Sequence, residues 1–283
     1  MGRTPRVITE TLRILTLMKI AIIGTGNLGK ALARGILNTN GATSMVLTKG
    51  HTSSIQEFES YGNVTITTDN RLAVQQSDIL IFAVQPSQLK TILTEVNDLL
   101  EERHVVISTA AGCSIAFIEE IVGPDRYLIR AMPNTALSVG SSMTCICSNP
   151  KGEKRVALAQ AIFERMGHSM VIHEELMQAA TVVCASGIAF WMRLIRATTQ
   201  SAIQLGFEAR EAQELAVYTC RGAADLLVKS NSHPEAEIDK VTTPKGCTIA
   251  GLNEMEHQGM SSALIQGMQR SFEKISNITR EQL

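Results

Sequence analysis

Runs of apolar and β-branched residues alternate with amphipathic stretches through the first half of the chain. The short runs predict strands at Lys19–Ile23, Met45–Thr48, Val64–Thr67, Ile79–Val84, Val105–Thr109, Tyr127–Ala131, Met143–Cys147 and Ser169–Ile172. In stretches between them, such as Leu28–Leu37 and Leu89–Leu100, apolar residues recur at every third or fourth position, which indicates helices. The alternation predicts an α/β domain with a mostly parallel, doubly wound sheet.

Past about residue 174 the strand pattern fades, and long helical patterns replace it. They predict helices at Glu175–Cys184, Ile188–Leu205, Arg210–Lys229 and from Thr248 to the C-terminus. Several of these stretches are rich in small residues and apolar on more than one face, which favours burial against another subunit. We therefore expect an N-terminal extension (1–17), a nucleotide-binding domain (18–173) and an all-α domain for substrate binding and dimerisation (174–283), in a homodimer or higher homo-oligomer.

Composition narrows the class of partner. With 283 residues, 45% of them hydrophobic, the chain is long enough for about two domains with their own cores. Because 26 basic residues nearly balance 27 acidic ones, no global field attracts nucleic acid or an anionic membrane, and a small-molecule partner is expected. No uninterrupted run of 18 apolar residues occurs, so we expect no membrane span and a cytoplasmic location.

The cysteines are scattered. There are six of them, at positions 113, 145, 147, 184, 220 and 247, without a CxxC pair. Cys145 and Cys147 would suggest a metal only if further Cys or His followed at ligand spacing, and none does. The pattern predicts reduced, buried thiols and no metal site.

A glycine-rich loop carries the first chemical signal. Gly24-Thr25-Gly26-Asn27-Leu28-Gly29 directly follows a predicted strand and opens a predicted helix. In a dinucleotide-binding Rossmann domain, Gly24 would permit the tight turn, Gly26 would let the backbone approach the pyrophosphate, and Gly29 would let helix and strand pack closely. The phosphates would lie at the helix N-terminus, beside Asn27 and Leu28.

The residues about twenty positions further on bear on the choice of cofactor. NAD enzymes usually present Asp or Glu to the ribose hydroxyls there, whereas this chain has Thr48 and Lys49, followed by His51, Thr52 and Ser53. A cation and hydroxyl groups favour the 2′-phosphate of NADPH, although an ordinary solvated turn would have the same composition. NADH remains possible.

Two later strand ends are candidate walls of the cofactor site. They are Ala83-Val84-Gln85-Pro86 and Thr109-Ala110-Ala111-Gly112. Ligands of open α/β sheets bind outside the carboxyl ends of the strands, and small residues there leave room for ribose and nicotinamide. Simple strand exits with small residues are the alternative.

A second loop is a candidate anion site. Val241-Thr242-Thr243-Pro244-Lys245-Gly246-Cys247-Thr248 runs into the last predicted helix. Pro and Gly favour a turn, after which the amides of Gly246, Cys247 and Thr248 would point at a carboxylate. Without further context, the stretch is only a loop entering a helix, with Thr248 as a candidate N-cap.

From Met18 onward the chain resembles the pyrroline-5-carboxylate reductases, whose signature is a Thr/Ser-Pro-Gly-Gly loop entering a helix. The shared markers occur in order along the chain. They are the glycine loop, Ser77-Asp78, Ala83-Val84-Gln85-Pro86, Thr109-Ala110-Ala111-Gly112, Arg130-Ala131-Met132-Pro133-Asn134-Thr135, Ser186-Gly187, His233-Pro234 and the Thr-Pro loop.

The resemblance implies reduction of the cyclic imine 1-pyrroline-5-carboxylate to L-proline by hydride from NAD(P)H. It also implies that Gly246, Cys247 and Thr248 hold the substrate carboxylate, with Thr248 the candidate to polarise or protonate the ring nitrogen. By position, Asn70 and Lys240 match places where the family contacts the cofactor.

Four positions depart from the family pattern. Lys245 stands at the usual first Gly of the loop, Ile188 and Ala136 at usual Pro positions, and Gln85 where Lys is common. Lys245 would either assist a carboxylate or turn to solvent. A reductase of another imine or keto substrate and a non-catalytic dinucleotide-binding relative remain alternatives. A related two-domain 3-hydroxyacid dehydrogenase is disfavoured, since residues 155–228 contain neither the Lys nor the Asn it needs.

Overall fold

The structure is a computed structural model that describes residues 18–282, with side chains through residue 276. Its strands are β1 (Lys19–Ile23), β2 (Ser44–Thr48), β3 (Val64–Thr67), β4 (Ile79–Phe82), β5 (Val105–Ser108), β6 (Tyr127–Met132), β7 (Ser142–Ser148) and β8 (Gly167–Val171). They form one sheet in the order β3-β2-β1-β4-β5-β6-β7-β8. Only β6 and β7 pair antiparallel among these strands, which confirms the mostly parallel sheet.

Helices connect and cover the strands. In the first part of the chain they are α1 (Asn27–Asn38), α2 (Asn70–Gln75), α3 (Pro86–Val96), α4 (Ile115–Val122), α5 (Glu153–Phe163) and α6 (Met177–Ala180). A π-helical turn (Thr181–Ser186) follows, then α7 (Gly187–Gln204), α8 (Ala209–Ser230), α9 (Pro234–Val241), α10 (Cys247–His257) and α11 (Met260–Gln282). Short 3-10 helices occupy Thr52–Ser60, Asn97–Leu99, Thr135–Val139, Glu164–Met166 and Glu174–Leu176.

Apolar layers cover both faces of the sheet. Ile20 and Ile22 of β1 pack in one cluster with α1, whereas Ala21 and Ile23 pack in a second cluster with α3. All four residues are fully buried. Because side chains of a strand alternate between faces, a strand buried on both sides must be apolar throughout. This is why the strands are continuous apolar runs in the sequence.

The described chain forms two compact units. One runs up to Ala185 and takes in the chain from Phe272 onward, and the other is Ser186–Ser271. The Ser276 hydroxyl donates to Oε1 of Gln178 at 3.0 Å, which ties the end of α11 into the first unit. The domain boundary that we expect at 173/174 thus lies about a dozen residues before the division between these units and stays a prediction; the expected extension at 1–17 lies outside the described residues.

The last helical stretch differs from the sequence prediction. A continuous helix is predicted from Thr248 onward, but α10 ends at His257 and α11 begins at Met260. Gly259 between them has φ +78°, a conformation that stops a helix and that glycine adopts without strain. The helix α9 is absent from the sequence prediction; four of its eight residues are charged and none is buried.

One helical run has the length and apolar character of a membrane span. It covers Glu174–Gln204, with a mean hydropathy of 1.4 over its most apolar window, of which 22% is buried. The expectation of no membrane span rests on uninterrupted apolar runs. Polar residues interrupt this helical run, so that criterion does not detect it, although its mean hydropathy is high. Length and composition alone do not distinguish lipid from a protein partner.

Candidate functional site

The glycine loop makes the turn between β1 and α1. Gly24 has φ +90°, and a Cβ added to it would collide with Cγ1 of Val84. The backbone carbonyl of Thr48 accepts hydrogen bonds from the N–H groups of Gly24 (3.2 Å) and Thr25 (2.8 Å). The loop is therefore held against the end of β2, and only glycine fits its first position.

The other two glycines differ in their surroundings. A Cβ on Gly29 would lie 2.5 Å from the carbonyl oxygen of Gly24, so α1 packs directly on the loop. A Cβ on Gly26 would meet no atom within 4 Å. Gly26 therefore faces open space at the N-terminus of α1, where backbone amides and the helix dipole favour a phosphate group.

A cleft of about 660 Å³ opens at this loop. It lies where β1 is flanked by β2 and β4, at the point where the strand order reverses, which is the usual ligand position in such sheets. The predicted cofactor residues that line it are Gly24, Gly26, Thr48, Lys49, Asn70, Ala83, Val84 and Gln85. Residues 51 and 53, noted beside Lys49 in the sequence, line it as well.

Five lining residues escape the sequence analysis. They are Gly50, Ser54, Thr68, Gln88 and Ile92. Gln88 and Ile92 lie on α3, four positions apart on one helical face. A helix that begins at Pro86 beside the cleft places Gln88 and Ile92, about one turn apart, on the same side, and this spacing is the signal that could have found them.

Other predicted cofactor residues are not among those that line the cleft. Asn27 and Leu28 form the first turn of α1, and Pro86 is the first residue of α3. Thr109 and Ala110 are buried, and the Thr109 hydroxyl donates to the carbonyl of Phe82 at 3.1 Å. Ala111 packs against an apolar cluster beside β6 and β7. Their contact with a cofactor stays a prediction.

Thr48 and Asn70 bind each other. The buried Thr48 hydroxyl donates to Oδ1 of Asn70 at 2.8 Å, and Nδ2 of Asn70 donates to Glu95 at 3.0 Å. Each side chain thereby fixes the other at the floor of the cleft. The Gly24 N–H also donates to the Thr48 hydroxyl at 3.4 Å. Thr48 therefore helps to fix the shape of the cleft through its contacts with Asn70 and Gly24.

The far end of the cleft is basic and rich in hydroxyl groups. Nζ of Lys49 donates to the Ser54 hydroxyl at 2.6 Å, and His51 and Ser53 are exposed beside it. Among the cleft-lining residues of the described chain there is no Asp or Glu. A cation without a neighbouring carboxylate suits a phosphate monoester better than a bare ribose diol.

The Thr-Pro loop is a tight turn. The Gly246 N–H donates to the carbonyl of Thr243 at 2.9 Å, and Lys245 has φ +60°. Glycine would suit position 245, because a type II turn with Pro at its second position needs a positive φ at its third. The turn already uses the Gly246 N–H, so the expected contact of that amide with a carboxylate stays a prediction.

The amides of Cys247 and Thr248 are the first of α10. First-turn amides have no acceptor within their own helix, so they are suited to an anion. Thr248 is half-buried, whereas Lys245 and Cys247 are exposed; the prediction of buried thiols is therefore wrong for Cys247. Lys240, near the end of α9, pairs with Glu237 at 2.7 Å, and its contact with the cofactor stays a prediction.

The cleft and this loop belong to different compact units. The cleft-lining residues all precede Ala185, and the loop lies within Ser186–Ser271. Within the described residues, no group of three or more His, Cys, Asp or Glu side chains is placed to hold a metal ion.

Family models match both parts of the chain. Residues 174–278 match a model described as pyrroline-5-carboxylate reductase dimerisation. Residues 19–112 match a model described as NADP oxidoreductase, coenzyme F420-dependent. The second match spans the glycine loop and the whole cleft.

Individual proteins resemble the chain over most of its length. Pyrroline-5-carboxylate reductase 1 of Dictyostelium discoideum is 41% identical over 92% of the chain, which spans about half (49%) of that relative. Reductase 2 of the same organism is 40% identical over 91% of the chain and 92% of its own length. The fold matches a Plasmodium falciparum pyrroline carboxylate reductase with a TM-score of 0.85 at 23% identity, over 93% of this chain and 98% of that one. Together, the glycine cleft, the Thr-Pro turn and a relative matched along its length show that the chain belongs to the pyrroline-5-carboxylate reductase family.

Proposed function

We propose that the chain reduces 1-pyrroline-5-carboxylate to L-proline with hydride from NADPH, as a step of proline biosynthesis. The observation that carries this proposal is the likeness to named pyrroline-5-carboxylate reductases over more than nine-tenths of the chain. The cleft at the glycine loop supports it, since it supplies the nucleotide site that such a reaction needs.

The cleft fits NADPH. Gly26 leaves space for the pyrophosphate at the N-terminus of α1, and Lys49 offers a cation for the 2′-phosphate. Two comparisons support the same cofactor: the family that matches 19–112 consists of NADP oxidoreductases, and the Plasmodium reductase structure has NADP bound. When bound, NADPH supplies the hydride; NADH remains a second candidate donor.

The Thr-Pro loop is the proposed substrate site. The first-turn amides of α10, at Cys247 and Thr248, hold the ring carboxylate. The Thr248 hydroxyl donates to the ring nitrogen and favours the electrophilic form of the imine. Gly246 closes the turn through its N–H, and the exposed ammonium of Lys245 adds a positive charge beside the anion-binding amides.

We further propose a homodimer formed through the helical region. Its support is the match of 174–278 to a dimerisation model and the apolar side chains that α7 and α8 leave exposed, such as Trp191 (55%), Met192 (58%) and Tyr218 (63%). In this proposal the apolar side chains that α7 leaves exposed, in the second half of the run Glu174–Gln204, face a second copy rather than lipid. The protein is then cytoplasmic, with a small imine and a dinucleotide as its ligands and no nucleic-acid partner.

The test is the loss of NADPH absorbance with 1-pyrroline-5-carboxylate, and the same assay with NADH. We expect turnover with NADPH and formation of proline. A cyclic imine without a carboxylate is the matched control substrate and should turn over far more slowly. Tight NADPH binding without turnover of any imine would leave a non-catalytic dinucleotide-binding protein; oxidation only with a different imine would move the activity to the neighbouring substrate class.

A further inference from the structure

Two cysteines distant in the sequence have their sulfur atoms in contact. Cys145 lies on β7 and Cys184 in the π-helical turn, 39 positions later, and their Sγ atoms are 3.8 Å apart. Both residues belong to the first compact unit and to one apolar cluster beside the sheet. Neither belongs to the cofactor cleft or to the Thr-Pro loop.

We propose that Cys145 and Cys184 are a redox modification site, at which a hydroperoxide converts the two thiols into a reversible intramolecular disulfide. Disulfides in proteins of reducing compartments are usually of this transient, oxidant-dependent kind.

The two thiols have different roles in such a reaction. Cys145 is 4% exposed, whereas Cys184 is only partly buried and is the thiol within reach of a small oxidant. The hydrogen bond from Cys145 lowers the pKa of Cys184 to about 7. The same hydrogen bond, together with burial, raises the pKa of Cys145. Cys184 is thus the attacking thiolate, and Cys145 is the resolving thiol.

The local structure allows the sulfur atoms to close. A disulfide needs its sulfurs about 2.05 Å apart, so they must approach by roughly 1.7 Å. Cys145 is held by the pairing of β7 with both neighbouring strands. Cys184 lies in a π-helical turn, where the backbone ladder is irregular, and its carbonyl accepts one side-chain hydrogen bond, from Asn134 at 3.0 Å. We expect the π-helical turn to move and the strand to stay.

The chemistry balances with one peroxide. The Cys184 thiolate attacks a peroxide oxygen, the O–O bond breaks, and hydroxide or alkoxide leaves, giving a sulfenic acid. The Cys145 sulfur then attacks the Cys184 sulfur, the S–O bond breaks, and the thiol proton leaves with the hydroxyl as water. Two thiols are oxidised, the peroxide is reduced, and a dithiol reductant reverses the product.

The same strand provides a matched control. Cys147 lies two residues from Cys145 on the same face of β7 and is equally buried, and burial raises its pKa to about 11. Cys147→Ala removes a thiol from the same core without touching the proposed pair. Exposed Cys247 serves as an internal reference for general oxidation.

The experiment treats the full-length protein with an equimolar amount of hydrogen peroxide, blocks remaining thiols by alkylation and maps the peptides by mass spectrometry. We expect a Cys145–Cys184 peptide pair lighter by two hydrogen atoms, lost on dithiothreitol treatment and retained in Cys147→Ala. In Cys145→Ala, which lacks the resolving thiol, dimedone should label Cys184 instead.

Several outcomes would overturn the proposal. One is alkylatable Cys184 at a peroxide dose that oxidises Cys247. Others are a disulfide between two chains, or loss of the linked peptide in Cys147→Ala. If Cys145→Ala does not fold, the peptide map of the oxidised wild-type protein still shows whether the Cys145–Cys184 disulfide forms. As an independent readout, the thermal midpoint should rise on oxidation of the wild type and Cys147→Ala, since the cross-link restricts the unfolded chain, but not of Cys184→Ala.

Discussion

A glycine at position 245 is expected to stabilise the Thr-Pro turn. Lys245 has φ +60° in a turn closed by the 2.9 Å hydrogen bond from Gly246 to Thr243. This region costs an L-residue roughly 1–2 kcal/mol, whereas the greater freedom of glycine in the unfolded chain offsets roughly 0.4–1 kcal/mol of any gain. Lys245→Gly should therefore stabilise the closed turn by about 0.5–1 kcal/mol.

The local assay is hydrogen exchange at the Gly246 amide, which reports opening of this turn without requiring the whole protein to unfold in one step. We expect exchange to slow by about twofold to fivefold in Lys245→Gly. Lys245→Ala is the matched control, because it removes the same ammonium but keeps a Cβ. Its exchange should stay at the wild-type rate.

Equal slowing in Lys245→Ala and Lys245→Gly would refute the backbone explanation and assign the effect to the charge. Faster exchange in Lys245→Gly would also contradict it. Steady-state kinetics of the same two variants test whether the Lys245 ammonium contacts the substrate. An equal rise in KM for the imine in both variants would indicate that it binds the substrate carboxylate.

Other predictions concern single residues. Gly29→Ala should lower the free energy of unfolding by about 1–3 kcal/mol, since its Cβ would lie 2.5 Å from the Gly24 carbonyl oxygen. Gly26→Ala places its Cβ in open space, so the urea midpoint should stay unchanged while NADPH binding weakens at least about tenfold. Burial lowers the pKa of His104, so the unfolded chain binds a proton that the folded chain does not, and stability should fall as the pH drops below about 6.5. Urea midpoints of wild type and His104→Asn from about pH 7.5 to about pH 5 check this, and parallel profiles would contradict it. Thr248→Ala should raise KM for the imine and lower kcat with the Kd for NADPH unchanged; unaltered kinetics would remove Thr248 from the mechanism.

The sheet could be predicted from the sequence because burial on both faces leaves a local mark. Ile79–Phe82 of β4 is at most 2% exposed at every position, so the strand has to be apolar throughout. The glycine loop can be predicted for a similar reason. The conformation of Gly24 and the close approach at Gly29 each exclude a side chain, so each position requires glycine and the requirement is visible in the sequence.

Features without a local mark were missed or incomplete. The helix Pro234–Val241 has no buried residue, so the sequence lacks the apolar periodicity by which a buried helical face is predicted. Thr48 lines the cleft, but the hydrogen bond of its hydroxyl to Asn70, 22 positions away, is not among the predictions. The contacts between side chains across the cleft depend on the order and the register of the strands. Neither can be predicted from the apolar pattern of a single sequence.

The cysteine pair shows how far this limit reaches into chemistry. On β7, Cys145 and Cys147 share one face and are both buried, so their sequence context predicts the same inert thiol for each. Only one of them contacts Cys184, and that contact follows from where the π-helical turn lies against the strand. Thiol reactivity depends on the neighbour that stabilises the thiolate. If Cys147→Ala and Cys145→Ala responded alike to peroxide, tertiary placement would not be what distinguishes the two thiols, and the reasoning that assigns Cys145 as the resolving thiol would fail.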